Sequence, residues 1–442
     1  MANDHYSYAL NPGSVRSLAA AIATKNLSPV GLLQRCLDRI QQVERHIQCW
    51  CEIDADGALA AAREREKEAA DGHIRGPLHG IPIGIKDLID VEGMHTRAGS
   101  AVGANVLPAV SDAEIVLALR TQGAIILGKT HTTEYAFQDP SPTRNPFNIN
   151  HTPGGSSSGS AAAVASGMVP IALGTQTGAS VNRPAAYCGI AAFKPSNQSL
   201  STFGMTPLAP SYDTPGFFGW SVDDATYVYE AVAQTFVDAG PETVREIYIL
   251  EDAHWSDATS EIRAALHSVA NACERTGHRI TRRPSPIDFA RLYELQRTTM
   301  IYEAGRALRH LLDEHASRIG PKLNAALTEG AAIGTARYLD ERAEIDEMRR
   351  RLFCADGSQC LFLWPATPST APAGLTWTGD TRYIAPWTAL GGPIATLPAG
   401  LAPSGLPVGC ILMTSPGRDR LLCDVARRLN ATLSVTKRKN GP

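Results

Sequence analysis

The segment TPGGSSSGSAAAVA, residues 152–165, joins a run of glycine and serine directly to an apolar, helix-forming run. A flexible linker would explain the first half, but the alanines and valine that follow predict a helix beginning within the segment. The first backbone N–H groups of a helix have no partner inside the helix, so they can hold a serine hydroxyl or an anion. We therefore interpret the segment as part of a functional site, with Ser156 as a candidate residue.

A second segment of small residues, GTQTGAS at 174–180, ends on Ser180, which lies 180 − 156 = 24 residues after Ser156. Small residues allow successive backbone N–H groups to line up, which is what stabilisation of an oxyanion requires. A serine nucleophile also needs a base, and no motif in the sequence assigns a histidine to that role. Histidines such as His131 and His151 are placed by no motif and are interpreted as surface or satisfied polar groups.

The segment GIPIGIKD at residues 80–87 offers a different base, because it encloses Lys86 in an apolar run. Burial disfavours the charged form of a lysine, and a neutral amine accepts a proton. Taken alone, Lys86 is equally compatible with a surface lysine that extends its amine into water, and both interpretations stay open at this point.

The segment GAIILGKT, residues 123–130, matches the phosphate-loop pattern GxxxxGK[ST] in its letters only. A phosphate loop needs its four central residues to curl around phosphates and to present their N–H groups. Ala-Ile-Ile-Leu is instead typical of a buried strand, so nucleotide binding is not predicted. We expect a strand over residues 124–127, with Lys129 just past its end.

Taken together, the segments at 80–87, 152–160 and 174–180 resemble the amidase signature family of Ser-Ser-Lys hydrolases. That family carries a G-[IV]-P-[IV]-x-[IV]-K-D strand, a P-G-G-S-S-G-G-S segment and a G-T-D-T-G-G-S-[IV]-R segment in the same order. The spacing of the two serine segments agrees with the family, as do PAAYCG at 184–189 and FKP at 193–195. The resemblance covers most of the chain, from about residue 14 to 430, and is weak between residues 240 and 350.

The resemblance implies a role for each matched residue. Ser180 resembles the acylated nucleophile, Ser156 the bridging serine and Lys86 the base that starts the proton relay. Ser157 resembles the second serine of the motif, which supports the relay by hydrogen bonding. The backbone N–H groups that resemble the oxyanion hole are those of Thr177, Gly178, Ala179 and Ser180. The resemblance implies no metal and no cofactor, because the relay carries the acyl transfer.

Four positions depart from the family pattern. Ser158 and Ala179 each replace a glycine, Gln176 replaces a frequent aspartate, and Arg183 is shifted by one residue. Gln176 is a supporting residue of the site, but it is neutral and cannot form an ion pair with an arginine. We therefore expect no salt-bridged support behind the oxyanion loop. The methyl group of Ala179 also restricts backbone conformations with positive φ.

Composition narrows the function class of this 442-residue chain. Lys and Arg number 41 and Asp and Glu number 44, and the resulting formal charge of −3 argues against a nucleic-acid partner. The longest apolar stretch, residues 161–174, is too short and too interrupted to span a bilayer, so no membrane partner is expected. Nine cysteines without a CxxC pair, and a start without a secretory pattern, predict free thiols and a cytoplasmic location.

Alternating short strands and helices predict an α/β layer fold. The resemblance implies the amidase signature fold, which is a central twisted mixed β-sheet covered by helices on both faces. We expect a single amidase domain over residues 1–442. Its expected parts are an N-terminal helical region at 1–75, a catalytic signature core at 76–240, a variable helical region at 241–360 that would cap the substrate pocket, and the C-terminal part of the sheet at 361–442.

Local patterns predict where several helices begin. Ser28 followed by Pro29 is typical of a helix N-terminus. Ser111 and Asp112 are expected to cap a helix over residues 113–122. Residues 132–136 are expected to start another helix.

The predicted function is hydrolysis of a C–N bond in a small-molecule linear amide, anilide or carbamate (urethane), through an acyl-enzyme on Ser180. Two alternatives stay open: the glutamine-hydrolysing A subunit of a tRNA-dependent amidotransferase, and an inactive binding protein of the same fold. A small-molecule substrate is the expected partner, and a homodimer is left open. Aromatic residues in Gly- and Pro-rich loops favour a hydrophobic or aryl substrate, and the expected contacts are Phe137, Tyr212, Phe217, Phe218, Trp220, Trp377 and Trp387.

Overall fold

A computed structural model describes residues 7–233, 246–354, 360–430 and 432, and its strands form one eleven-stranded sheet. The strands are β1 (Trp50–Ile53), β2 (Pro82–Lys86), β3 (Ile125–Thr130), β4 (Ile171–Gln176), β5 (Ala191–Lys194), β6 (Thr214–Gly219), β7 (Glu246–Glu251), β8 (Arg279–Pro284), β9 (Leu361–Pro365), β10 (Ile394–Leu401) and β11 (Pro407–Thr414). The helices are α1 (Val15–Ala23), α2 (Pro29–Ile47), α3 (Ala55–Ala70), α4 (Glu114–Thr121), α5 (Ser158–Ala165), α6 (Asn182–Tyr187), α7 (Val222–Ala233), α8 (Ser260–Arg275), α9 (Phe289–Ala307), α10 (Arg309–His315), α11 (Pro321–Ala332), α12 (Thr335–Cys354), α13 (Ala385–Ala389) and α14 (Asp419–Asn430). Short 3₁₀ turns occur at Val102–Asn105, Glu134–Ala136 and Ala253–Trp255.

The sheet is mixed, and its order is β1-β3-β2-β4-β6-β5-β10-β11-β9-β7-β8. Strand β2 runs parallel to β3 and β4, and β7 runs parallel to β8 and β9, whereas the other neighbours are antiparallel. Because β2 and β4 run in the same direction, with Ile85 opposite Leu173, their carboxyl ends meet at one edge of the sheet. This arrangement brings the last residue of β2, Lys86, close to Thr175 on β4.

Helices cover both faces of the sheet, and the alternation of side chains along β6 shows it. Phe217 enters one hydrophobic core, where its ring lies 6.1 Å from that of Tyr229 on α7. Phe218 enters the opposite core together with the alanine-rich helix α5. Successive side chains of a strand point to opposite faces, so both residues are buried only because each face has its own helices. The predicted α/β fold with a helix-covered mixed sheet is confirmed.

The helix at residue 29 begins as the sequence predicts. Ser28 precedes α2, its Oγ accepts a hydrogen bond from Gly31 N at 3.0 Å, and Pro29 occupies the first helical position. The expected capping of α4 is wrong, because the Asp112 carboxylate accepts from Glu92 N and binds Arg120 instead.

The helix expected at residues 132–136 is also wrong, because only a 3₁₀ turn forms there. Tyr135 and Ala136 have positive φ angles of 44° and 60°, which are incompatible with a continuing right-handed helix.

The strand interpretation of the GAIILGKT segment is confirmed, but its extent is corrected. Strand β3 continues through Lys129 and Thr130 and pairs with β2 on one side and β1 on the other. The buried Lys129 amine donates to His95 O at 2.9 Å and lies 3.3 Å from Asp87 Oδ1. Because β3 is paired with a strand on each side, its backbone N–H groups are not arranged to bind a phosphate.

Three further observations concern the predicted organisation of the chain. Within the described ranges, we find no helix that is long and apolar enough to cross a membrane. The predicted boundary between the second and third parts, at residue 240, lies outside the described residues. The region expected to be helical, 241–360, contains α8 to α12 in its described residues, but it also contains strands β7 and β8.

Candidate active site

Lys86 is fully buried at the carboxyl end of β2, and its amine meets the first serine segment there. Lys86 Nζ lies 2.7 Å from Ser156 Oγ and 2.8 Å from Thr175 Oγ1, with Thr175 O at 3.4 Å. All three partner atoms are uncharged oxygens. The two open interpretations of this lysine are thereby resolved in favour of burial beside a serine hydroxyl.

Burial lowers the pKa of Lys86 well below its ordinary value, and the negative charge of Asp213 opposes that shift. The Asp213 carboxylate is itself occupied: Oδ1 accepts from Thr177 Oγ1 at 2.5 Å, and Oδ2 accepts from Leu208 N and Ala209 N. The carboxylate therefore acts on the amine from a distance, without a hydrogen bond to it. A lysine in these surroundings favours the neutral amine.

The two serine segments meet through their backbones. Ser157 N donates to Ser180 O at 3.3 Å, and Ser157 Oγ donates to Thr175 O at 3.2 Å. The peptide bond between Gly155 and Ser156 is cis. An added Cβ at Gly174 would come within 2.7 Å of Ser157 Oγ, so this close approach of β4 to the serine segment requires glycine.

The loop from Thr177 to Ser180 is held by all four of its carbonyl groups. Thr177 O accepts from Gln296 Nε2 at 3.2 Å, and Gly178 O accepts from Thr388 Oγ1 at 2.5 Å. Ala179 O accepts from Arg183 N at 3.0 Å, and Ser180 O accepts from Ser157 N. In the described part of the chain we find no acceptor for the N–H groups of Gly178, Ala179 and Ser180. The carbonyls are thus fixed and these N–H groups are left for a ligand.

Gln176 supports this loop with a neutral hydrogen-bond network in place of a salt bridge. Its Oε1 accepts from Val181 N at 2.8 Å and Asn182 N at 3.0 Å, which are at the start of α6. Its Nε2 donates to Asn182 Oδ1 at 2.8 Å and Thr388 Oγ1 at 2.9 Å. Both N–H donors and the oxygen of this buried amide form hydrogen bonds. The expected lack of an ion pair therefore leaves no polar atom of Gln176 without a partner.

Arg183 binds elsewhere, to the other serine segment. Its guanidinium donates to Gly155 O at 2.7 Å and to Thr378 Oγ1 at 3.1 Å, and also to Gly379 O. Burial lowers the pKa of this arginine from its ordinary value. Arg183 therefore joins the segment before Ser156 to the loop before α13.

A pocket of about 610 Å³, including its open mouth, lies over the loop from Thr177 to Ser180. Ser180 lines it, whereas Lys86 and Ser156 are buried and do not. Of the expected aromatic contacts, only Phe137 is part of the lining. The lining residues are Ala136, Phe137, Gln138, Thr177, Gly178, Ala179, Ser180, Arg183, Leu208, Tyr293, Gln296, Arg297, Met300, Thr381 and Ala385.

The other expected aromatic contacts are corrected. Phe217 and Phe218 lie on the central strand β6, and both are fully buried under helices. Tyr212 is buried and its hydroxyl bonds Thr299 Oγ1 at 2.6 Å. Trp387 packs in the core on Phe289, with ring centroids 5.0 Å apart.

The remaining two tryptophans are also away from the pocket. Trp220 is buried with the core around α5, and Trp377 is 49% exposed on the surface. The segments 200–220 and 370–390, which contain six of the seven expected aromatic contacts, do reach the pocket, but through Leu208, Thr381 and Ala385. Apolar strand residues and pocket aromatics look alike in a sequence, which explains the error.

Helix α9 supplies pocket residues that the sequence analysis missed, namely Tyr293, Gln296, Arg297 and Met300. They lie in the region where the resemblance is weak, and no motif marks them. One sequence feature could have indicated them: polar residues occur in this helix between the buried apolar residues Leu292, Leu295 and Ile301. The pocket wall is therefore partly built from the variable region.

Comparisons with known proteins define the class of this chain. A family model described as Amidase matches residues 31–423. The A subunit of a glutamyl-tRNA(Gln) amidotransferase from Anaeromyxobacter dehalogenans is 30% identical, over 95% of this chain and 96% of the relative. A protein of the same name from Acidothermus cellulolyticus is 40% identical over 222 residues, 49% of this chain and 44% of the relative. In this and similar alignments the chain spans less than half the length of the relative.

Solved structures agree with this class. A crystal structure of an amidase superposes with a TM-score of 0.87 at 29% identity, over 95% of this chain and 100% of that one. The peptide amidase from Stenotrophomonas maltophilia superposes with a TM-score of 0.81 at 27% identity, over 95% of this chain and 96% of that one. The chain belongs to the amidase family, since the family model spans most of its length.

Exchange of the Gln176 amide for a carboxylate tests the neutral network. In Gln176→Glu an acceptor replaces Nε2 and faces Asn182 Oδ1, which is 2.8 Å away in the native chain. We expect the free energy of unfolding to fall by about 1–3 kcal/mol, because a buried acceptor then lacks its donor. Urea unfolding measures the change, with Gln41→Glu at an exposed position of α2 as the control. Equal stability of the two variants would contradict this role of Gln176.

Proposed function

We propose that the chain hydrolyses the C–N bond of a small-molecule amide, anilide or carbamate through an acyl-enzyme on Ser180. The observation that carries this proposal is the buried Lys86 amine, 2.7 Å from Ser156 Oγ, beside a pocket lined by Ser180. Membership of the amidase family and the likeness to a peptide amidase support it.

In the first half of the reaction, neutral Lys86 accepts the proton of Ser156. A neutral amine has two N–H donors, which suit the two Thr175 oxygens, and one lone pair, which suits the Ser156 hydroxyl. Ser156 in turn takes the proton of Ser180 while Ser180 Oγ forms a bond to the substrate carbonyl carbon. The proton held on Lys86 then returns along the same chain to the leaving nitrogen, and the C–N bond breaks.

The N–H groups of Gly178, Ala179 and Ser180, together with that of Thr177, receive the negative charge that develops on the substrate oxygen. The fixed carbonyls on the opposite side keep these donors oriented before the substrate arrives, and such preorganisation is the largest common source of catalysis. In the second half, the relay deprotonates a water that attacks the acyl carbon. The acid leaves and Ser180 recovers its proton.

The pocket chemistry favours an uncharged amide. Among the described lining residues none is Asp or Glu, so a substrate ammonium group would find no carboxylate there. The lining arginines are engaged: Arg297 forms two hydrogen bonds to Glu329, and Arg183 is bound to carbonyl oxygens. Phe137, Leu208 and Met300 add apolar surface that suits an aryl or alkyl group.

The names of the curated relatives favour one alternative, the glutamine-hydrolysing component of an amidotransferase. Free glutamine carries an α-ammonium group, and the lack of an acidic side chain in the described lining argues against it as the main substrate. An inactive binding protein of the same fold is the other alternative. A cytoplasmic location, one domain over the whole chain and a cap at 241–360 stay predictions, and the α9 lining supports the last.

Substrate turnover by Ser180→Ala separates these functions. We expect the wild-type chain to hydrolyse nitroanilides, neutral primary amides or carbamates faster than glutamine. The variant should lose about 10⁴-fold or more in kcat, because the nucleophile is gone. Ser201→Ala, at an exposed position, is the matched control and keeps wild-type rates. Turnover of glutamine alone would favour the amidotransferase function, and unchanged turnover in Ser180→Ala would exclude the acyl-enzyme.

The pH dependence of stability tests the buried amine. Because the folded-state pKa of Lys86 lies below its ordinary value of 10.5, the unfolded chain binds one more proton in the interval between the two values. Within that interval, the contribution of this lysine to the free energy of unfolding increases by about 1.4 kcal/mol for each unit by which the pH rises. Lys86→Met removes this increase, so wild type gains stability relative to the variant as pH rises toward 10.5.

Urea unfolding at several alkaline pH values measures how steeply the free energy of unfolding rises with pH in wild type and in the variant. Lys67→Met, at an exposed position on α3, is the matched control. A slope that is the same in wild type and in Lys86→Met would show that Lys86 stays charged in the folded protein.

A further inference from the structure

Two of the four donors that hold the carbonyls of the oxyanion loop are side chains from distant parts of the chain. Thr388 Oγ1 on α13 binds Gly178 O, and Gln296 Nε2 on α9 binds Thr177 O. Neither residue lies in a segment that matches the family motifs. Gln296 comes from the variable region, 119 residues along the chain from Thr177.

Gln296 is placed directly over the loop. It is 2% exposed, and its Nε2 lies 3.2 Å from Thr177 O and 3.6 Å from Met300 Sδ. A Cβ added at Gly178 would lie 3.9 Å from the same nitrogen. The amide nitrogen thus contacts the peptide group between Thr177 and Gly178 from the side of its carbonyl.

This contact fixes the direction of one N–H group. In a trans peptide the C=O and N–H bonds point in opposite directions. A donor that holds Thr177 O therefore also sets where the Gly178 N–H points, which is away from Gln296. The Thr177 side chain is fixed independently by its bond to Asp213, so the peptide is held at two points.

Helix α9 is held in place by close packing, so a side chain on it can fix the position of the Thr177–Gly178 peptide. An added Cβ at Gly330 of α11 would come within 1.8 Å of Ile301 O, so the two helices pack in direct backbone contact. At the start of α9, Phe289 stacks on Trp364 and contacts Trp387 of α13, with ring centroids 4.7 Å and 5.0 Å apart. The helices that supply Gln296 and Thr388 are therefore joined through one aromatic cluster.

We propose that Gln296 is a positioning residue, whose hydrogen bond to Thr177 O orients the Gly178 N–H toward the reacting carbonyl of the substrate. This proposal rests on the hydrolase function above. It assigns to the variable region a part in the reaction itself, since α9 both lines the pocket and aligns an oxyanion donor. Gln296 acts through Gly178 and need not touch the reacting atoms.

Gln296→Met removes the donor while keeping the length of the side chain. We expect kcat to fall about 10-fold to 100-fold, less than the loss of 10²–10³ that follows removal of a whole oxyanion donor. KM should change by less than about twofold, because the interaction acts mainly in the transition state. Thr298→Val, on the same helix but outside the pocket lining, is the control and keeps both constants.

Gln296→Glu provides a readout that a purely structural role would not give. A protonated carboxyl group can donate to Thr177 O, whereas a carboxylate cannot. The activity of this variant relative to wild type should therefore rise as pH falls. A relative activity that is independent of pH, or a loss in Gln296→Met that lies wholly in KM, would overturn the proposal.

The Gly178 amide can be observed without any turnover. Labelling threonine with ¹³C and glycine with ¹⁵N selects the Thr–Gly pairs at 177–178, 276–277 and 378–379, of which the last two are internal controls. Gln296→Met should shift the Gly178 amide resonance, and an unmoved resonance would contradict the proposal. If the wild-type chain hydrolyses no amide, the proposed function fails, while the Gly178 shift still decides whether Gln296 positions this peptide.

Discussion

Removing a charged amine from water costs free energy. Lys86 is fully buried, and none of the carboxylates that the structure describes forms a hydrogen bond with its amine. Its partners are the hydroxyl of Ser156 and the two oxygens of Thr175. The rest of the site depends on this arrangement, because a charged lysine there could not accept a proton. Asp213 is close enough to oppose the lowering of the pKa of Lys86, yet its oxygens are saturated by other donors. The parallel pairing of β2 with β4 delivers this environment, and glycine at 174 permits the close approach of the serine segment.

A second network complements the buried amine by fixing the loop from Thr177 to Ser180. Each carbonyl of the loop has a donor, and Gln176 binds the first N–H groups of α6 behind it. Neutral amides do here what an aspartate and an arginine would do through charge. The Gln176 network itself adds no charge behind this loop. The same geometry joins the motif residues to α9 and α13, so the pocket wall and the reactive loop share one scaffold.

The resemblance to the family implied that Lys86, Ser156 and Ser180 act together. The local sequence alone left Lys86 open between burial and a surface position, because an apolar run next to a lysine is compatible with both. The aromatic contacts failed for a physical reason: Phe217 and Phe218 sit on a central strand with both faces covered, and such a strand lacks the polar alternation that reveals orientation. Gln296 could not be predicted, since its partner is 119 residues away and nothing local marks the pairing. The strand predicted at 124–127 was right in type, because its apolar pattern is local, although the observed strand extends to Thr130.

The central claim is that Ser180 is the nucleophile and that Lys86 activates it through Ser156. Covalent labelling with a serine-reactive fluorophosphonate, followed by peptide mass spectrometry, tests it most directly. We predict a single adduct on Ser180 in the wild-type chain, a much slower reaction at the same residue in Lys86→Ala, and no adduct in Ser180→Ala. An adduct on another serine, or equal labelling rates with and without the lysine amine, would contradict it.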